Sequence, residues 1–124
     1  MANYRDIKGF QIQSTDTDPE VYAGSWASGG SLNQSRYSLG GAGTQAAGLV
    51  FGGYSAPSRR NETEEYNGTA WSEQSNLNLA RNELTGAGTQ TAALAAGGNG
   101  PPVTNNVELY NGASWTETTE LNSA

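Results

Sequence analysis

The chain has 124 residues, of which only 17 are Leu, Ile, Val or Phe, while Gly alone supplies another 17. So few large aliphatics leave two readings, a weakly ordered polar chain or a β architecture that spends Gly on turns. With no Cys, no His and a net charge of −6, the sequence excludes a disulfide, a thiol nucleophile, an imidazole base and a Ser-His-Asp triad. It also lacks the usual ligands of zinc, copper and non-haem iron. The acidic balance points away from nucleic acid, whose phosphates select Lys and Arg. No apolar run approaches the roughly 18 residues of a membrane helix, and the opening residues lack the basic-then-apolar pattern of a secretory signal.

Residues 1–20 contain all three Asp (Asp6, Asp16, Asp18) and the only Lys, Lys8. The composition break after Glu20 marks a boundary, and this stretch is expected to be an extended arm ordered by a partner. Residues 21–124 repeat. Trp26, Trp71 and Trp115 are spaced 45 and 44 residues apart. The run Gly41-Ala42-Gly43-Thr44-Gln45 recurs as Gly86-Ala87-Gly88-Thr89-Gln90, Gly52-Gly53 as Gly97-Gly98, and Tyr66-Asn67-Gly68 as Tyr110-Asn111-Gly112. Leu32, Leu77 and Leu121 each follow a Trp by six residues, and Arg36 and Arg81 follow the first two of these by four. Between residues 64–80 and 108–124, 9 of 17 positions are identical. The repeat region divides into a partial unit 21–35, a unit 36–80 and a partial unit 81–124.

Within a unit the pattern predicts four short strands. In the second unit these are 82–86, ending at a Gly-Ala-Gly turn, then 91–97, 106–110 and 114–121. Asn-Gly is expected to join the third and fourth as a two-residue type I′ turn. The length difference between units falls between the Gly pair and the Tyr, as expected of a surface loop. No 3.6-residue apolar stripe appears, which excludes a helical solenoid.

These markers resemble the kelch family of β-propeller repeats: Gly52-Gly53 followed by Tyr66 and Trp71, then Gly97-Gly98 followed by Tyr110 and Trp115. The resemblance implies an all-β chain of four-stranded blades, forming an incomplete propeller of about 2.3 blades. It gives the eight named residues structural roles, with close strand approach at the glycines and inter-blade packing by Tyr and Trp. Galactose oxidase is similar in blade pattern, but its copper site needs His ligands and a Cys cross-linked to Tyr, so no activity is carried over. The chain is expected to be no enzyme and to hold no cofactor or metal.

Residues 3–14 resemble the start of virion structural proteins from tailed phages of marine cyanobacteria, where a short leader precedes Gly- and Asn-rich repeats or a fibre. That resemblance implies a virion component made in the host cytoplasm and acting outside it. Its residues 1–20 would dock on other virion proteins, and its blades would present a host-surface binding face. The alternative is a purely architectural decoration or joining protein.

The candidate contacts are Arg36, Arg81, Tyr54, Arg59, Arg60 and Asn99. Arg36 and Arg81 are expected to begin the first strand of each blade, near the axis, where they could hold an anion or carboxylated sugar. The favoured reading is structural, with each Arg pairing with Glu83 or a neighbouring blade's Glu, or capping exposed carbonyls. Arg59-Arg60 form the only basic pair and sit, with Tyr54, in the variable loop; Asn99 sits in its counterpart. Glu64, Glu65 and Glu73 read as surface charge, since no Asp-rich calcium loop is present. The three Trp read as inter-blade packing rather than sugar-stacking residues. Three Asn-x-Ser/Thr sequons (at Asn33, Asn61 and Asn67) read as chance matches. A closed propeller needs about 180–360 residues, so the chain is expected to be part of a longer protein or to associate with further copies.

Overall fold

The computed structural model describes residues 24–124; the docking arm expected at 1–20 lies outside them. Among the described residues there is no helix, and the chain is all-β. The first sheet contains β1 (Gly40–Gly43), β2 (Gly48–Phe51), β5 (Thr63–Tyr66) and β6 (Trp71–Gln74), hydrogen-bonded in that order and antiparallel throughout. Between β2 and β5 the variable loop folds back as a two-stranded hairpin of β3 (Tyr54–Ser55) and β4 (Ser58–Arg59). The second sheet is β7 (Thr85–Thr89), β8 (Ala92–Ala96), β9 (Val107–Tyr110) and β10 (Trp115–Glu117), again antiparallel and in chain order. Each repeat thus supplies one four-stranded sheet.

Three local expectations are corrected. The Gly-Ala-Gly motif lies inside the first strand, not in a turn after it, so that strand runs 85–89 rather than 82–86. Gly43 and Gly88 are left-handed, at φ 96° and 112°, and close packing explains Gly86. A Cβ on Gly86 would lie 2.5 Å from the Gly41 carbonyl oxygen and 2.6 Å from the Phe51 ring. The fourth strand stops at Glu117, and the chain beyond it stays beside the segment before β9 through single bonds, Thr118 N–H to the Val107 carbonyl and Leu121 N–H to the Asn105 carbonyl, both 2.9 Å. The Asn-Gly turns are four-residue loops, since Tyr66 pairs with Trp71 and Tyr110 with Trp115. Only the glycines, Gly68 at φ 96° and Gly112 at φ 92°, are left-handed. Each Asn instead accepts two backbone N–H bonds on its own side chain: Asn67 from Thr69 and Ala70, Asn111 from Ala113 and Ser114. That Asx geometry fixes the loop without a second positive φ.

The Gly pairs end the second strands and leave them in left-handed conformations, with φ 69° and 106° at Gly52 and Gly53, and 66° and 108° at Gly97 and Gly98. A side chain is also blocked there. A Cβ on Gly52 would approach the Arg81 carbonyl oxygen to 2.7 Å, and one on Gly98 the Asn82 carbonyl oxygen to 2.9 Å. Gly52 therefore runs flush against the segment that leads into the next sheet, and Gly98 against the segment that leads into its own.

The two sheets pack face to face. Period-two alternation puts Leu49, Phe51, Thr63 and Glu65 on one face of the first sheet. Ala93, Ala95, Tyr110 and Trp115 share the opposing face of the second. Leu49, Phe51, Leu77, Leu84, Ala93, Ala95, Tyr110 and Trp115 form one buried core. Phe51 meets Trp115 edge-on at 4.9 Å between ring centroids, the favoured geometry for an aromatic pair. Small residues on β1, β7 and β8 beside the aromatics Phe51, Tyr110 and Trp115 make this core despite the scarcity of large aliphatics.

Candidate functional site

A buried Arg–Glu pair, closed from the surface by an exposed Asn, is repeated in the two units. Arg81, Glu108 and Asn78 come from the segment before the second sheet and from its third strand. Arg81 Nη1 donates to Glu108 Oε2 at 2.5 Å, and both side chains are fully buried. The other guanidinium nitrogens donate to the Gly97 and Ala95 carbonyls at 2.8 and 3.3 Å. Asn78 donates to Glu108 Oε1 through its backbone N–H and its side chain, 2.8 and 3.0 Å, and to the Trp115 carbonyl at 3.1 Å. The first unit repeats the plan. Asn33 donates twice to Glu64 Oε1, 2.8 and 3.1 Å, and to the Trp71 carbonyl at 3.0 Å. Arg36 Nη2 lies 3.2 Å from Glu64 Oε2, but off hydrogen-bond alignment, so the buried guanidinium nitrogens and that oxygen make no hydrogen bond.

Arg36 and Arg81 precede their strands by four residues rather than beginning them, and neither side chain has an exposed atom with which to meet a ligand. They hold the entry to each sheet. Glu64, read as surface charge, is fully buried. Glu64 and Glu65 are sequence neighbours on opposite faces of β5, so one enters the Arg site while the other meets the second sheet. Glu65 Oε2 accepts from the Tyr110 hydroxyl at 3.0 Å; burial, then the Glu65 carboxylate, pushes that phenol up to about 12. Two further bonds join the sheets: Trp115 Nε1 donates to Thr63 Oγ1, and the Gln90 amide donates to the Gly48 and Tyr66 carbonyls.

The three Trp are not equivalent. Trp115 is buried in the inter-sheet core. Trp71 is half-buried, and Trp26 is fully exposed, so the packing expected of Trp26 is not formed.

At one edge of the molecule the structure gathers three of the proposed contacts. Arg59 donates through Nε and Nη2 to the carbonyl and side-chain oxygen of Asn99, 2.7 and 3.1 Å, joining the loops of the two units. Tyr54 pairs by backbone with Tyr37, their rings 5.6 Å apart. Tyr37 and Val103 project into solvent beside them. Arg60 is separate, bonded to Glu62 and Gln34. Partial burial raises the Glu62 carboxyl, but its bonds to Arg60, with the Arg60 and Arg36 charges, outweigh this and hold it below the usual carboxylate range.

Each end of the stack carries an open surface. Beside the first sheet, a groove of about 860 Å³ is lined by Trp26, Tyr66, Trp71, Gly48, Thr44 and Gln45, with residues 24–30 along its rim. On the outer face of the second sheet, a hollow of about 330 Å³ is lined by Ala87, Ala92, Leu94, Leu109 and the edges of Ala93 and Tyr110. Among the described residues no group of three or more His, Cys, Asp or Glu is placed to hold a metal.

The sequence reading missed Asn33, Asn78, Glu64, Glu108 and Gln90. A signal for them is present: Leu-Asn-x-x-Arg recurs at 32–36 and 77–81, and a Glu stands two residues before each repeated Tyr. No protein-family model matches the chain, and no curated protein matches it.

Proposed function

We propose that the chain is a structural component of a phage virion, built from kelch-like β-propeller blades. Residues 1–20 dock on other virion proteins, and an exposed loop edge presents a binding face to the host surface. The observation that carries this reading is the edge where Tyr54 and Arg59 of one unit meet Asn99 of the next, beside exposed Tyr37. Loops on a rigid sheet scaffold are where binding residues concentrate, and a tyrosine-rich edge with a fixed guanidinium suits stacking and hydrogen bonding to a surface polysaccharide or protein. The repeated four-stranded units, with their glycine pairs at positive φ, support the kelch-like reading. The leader resemblance supports the virion. Many copies on a particle give avidity, so a weak single site is enough.

A multimerised chain on a glycan array and on host cells tests this reading. Binding to a host surface sugar or protein, lost in Tyr37→Ala and Arg59→Ala, is expected. Absence of binding to every glycan and to the cells overturns adhesion and leaves the architectural role, which the open faces at both ends of the stack favour.

A further inference from the structure

The inter-sheet contact inside the chain is a template for its two open ends. In that contact the Tyr110–Trp115 face meets the Leu49–Phe51 face, and Gln90 reaches across to the Gly48 and Tyr66 carbonyls. The repeat places the same parts at the ends. Tyr66 and Trp71 reproduce the Tyr110–Trp115 pair, each pair with ring centroids 4.9 Å apart and planes tilted 36° and 35°. Gln45 stands where Gln90 stands in its motif and is exposed on the first groove. Ala87 and Leu94 stand where Ala42 and Leu49 stand. Ala93 and Tyr110, the counterparts of the carbonyl-bearing Gly48 and Tyr66, line the outer hollow.

We propose that this hollow is the docking surface for a second copy of the chain, which inserts its Tyr66–Trp71 face and its Gln45. The contact is heterologous, head to tail, because the two surfaces differ. Where the covered face carries Glu65, the open one carries Leu109, which is 45% exposed. The new contact therefore rests on apolar burial rather than on a tyrosine–carboxylate bond, and exposed apolar area of this kind marks interaction sites. Residues 24–30 rest on the groove through one bond, Trp71 Nε1 to the Gly30 carbonyl at 3.0 Å, and docking exchanges that bond for the new contact. The inference uses the repeat geometry and is independent of any host ligand.

Light scattering with the full chain across a concentration series tests it. The wild type is expected to exceed dimer mass as concentration rises, since a head-to-tail contact leaves a free end on every copy. Leu109→Glu removes the hollow, and Trp71→Ser removes the inserting face. Gln45→Glu, at an exposed position, is a second inserting-face variant that leaves folding intact, and circular dichroism checks all three. Each variant alone is expected to lose association at least tenfold. An equimolar mixture of Leu109→Glu with either inserting-face variant restores a one-to-one pair, because one intact surface remains on each. A monomer at every concentration overturns the proposal. So does a symmetric dimer whose variants fail to complement on mixing.

Discussion

In the second unit the buried Arg81 spends its guanidinium on a carboxylate and on backbone carbonyls, while in the first unit Arg36, equally buried, sits 3.2 Å from Glu64 without a hydrogen bond. The same division runs through the aromatics. Trp115 has a neighbouring sheet against its ring and Trp71 does not. The residues of the two sites are the same. What differs between the two aromatic pairs is that, among the described residues, the second sheet has a complete sheet on its inserting face and the first has residues 24–30 there. The aromatic face of one repeat is therefore covered by the preceding unit, as nearest-neighbour coupling in repeat proteins implies, whereas the partners of Arg81 all lie in its own unit or in the segment entering it.

The largest test of that difference is to remove each carboxylate. Glu108→Ala strands the buried Arg81 and is expected to cost about 3–5 kcal/mol, while Glu64→Ala costs less, because the Arg36 pair is already imperfect; urea midpoints measure both. The aromatic pair comes next. Trp115→Ala is expected to cost roughly 3 kcal/mol or more as a core cavity, and half-buried Trp71→Ala about half that, read by thermal melts. Raising pH then sharpens the inter-sheet contact. The Tyr110 phenol is raised from 10.0 to about 12 in the folded chain, so its contribution is fully present below pH 10 and is lost between pH 10 and 12. At most about 3 kcal/mol is at stake, and Glu65→Gln should flatten the drop in a denaturation series. The smallest effect is at the loops: Asn67→Ala and Asn111→Ala should each cost about 1 kcal/mol, as loss of a side-chain cap does, and equally, because the Asx bonds are alike in both units.

The glycine pairs were legible because they recur in phase and answer a backbone demand: positive φ and no room for a Cβ. The Gly-Ala-Gly segment was misplaced as a turn because Gly43 and Gly88 are left-handed, as turn glycines are, although they sit within the strand, while Gly86 answers a tertiary demand, the approach of β1 to β7, which no local rule expresses. Glu64 was misread for a related reason. In an acidic, polar sequence a Glu pair looks solvated, and only the alternation of β5 together with the distant Arg36 sends one of the two inward. The loop cluster of Tyr54, Arg59 and Asn99 was named residue by residue, but its joining required knowing that the variable loops of successive units are neighbours.

The dipeptide Leu77-Asn78 has a mechanical consequence. Leu77 is tied to the first unit, its N–H donating to the Asn61 carbonyl and its carbonyl accepting from the Asn61 side chain. Asn78, the next residue, is tied to Glu108 of the second. Tension drawn along the chain passes from one sheet to the other across a single peptide bond. There is no slack to pay out before the anchors on each side are loaded, so the pair of sheets should resist stretching as one stiff body rather than as beads on a string.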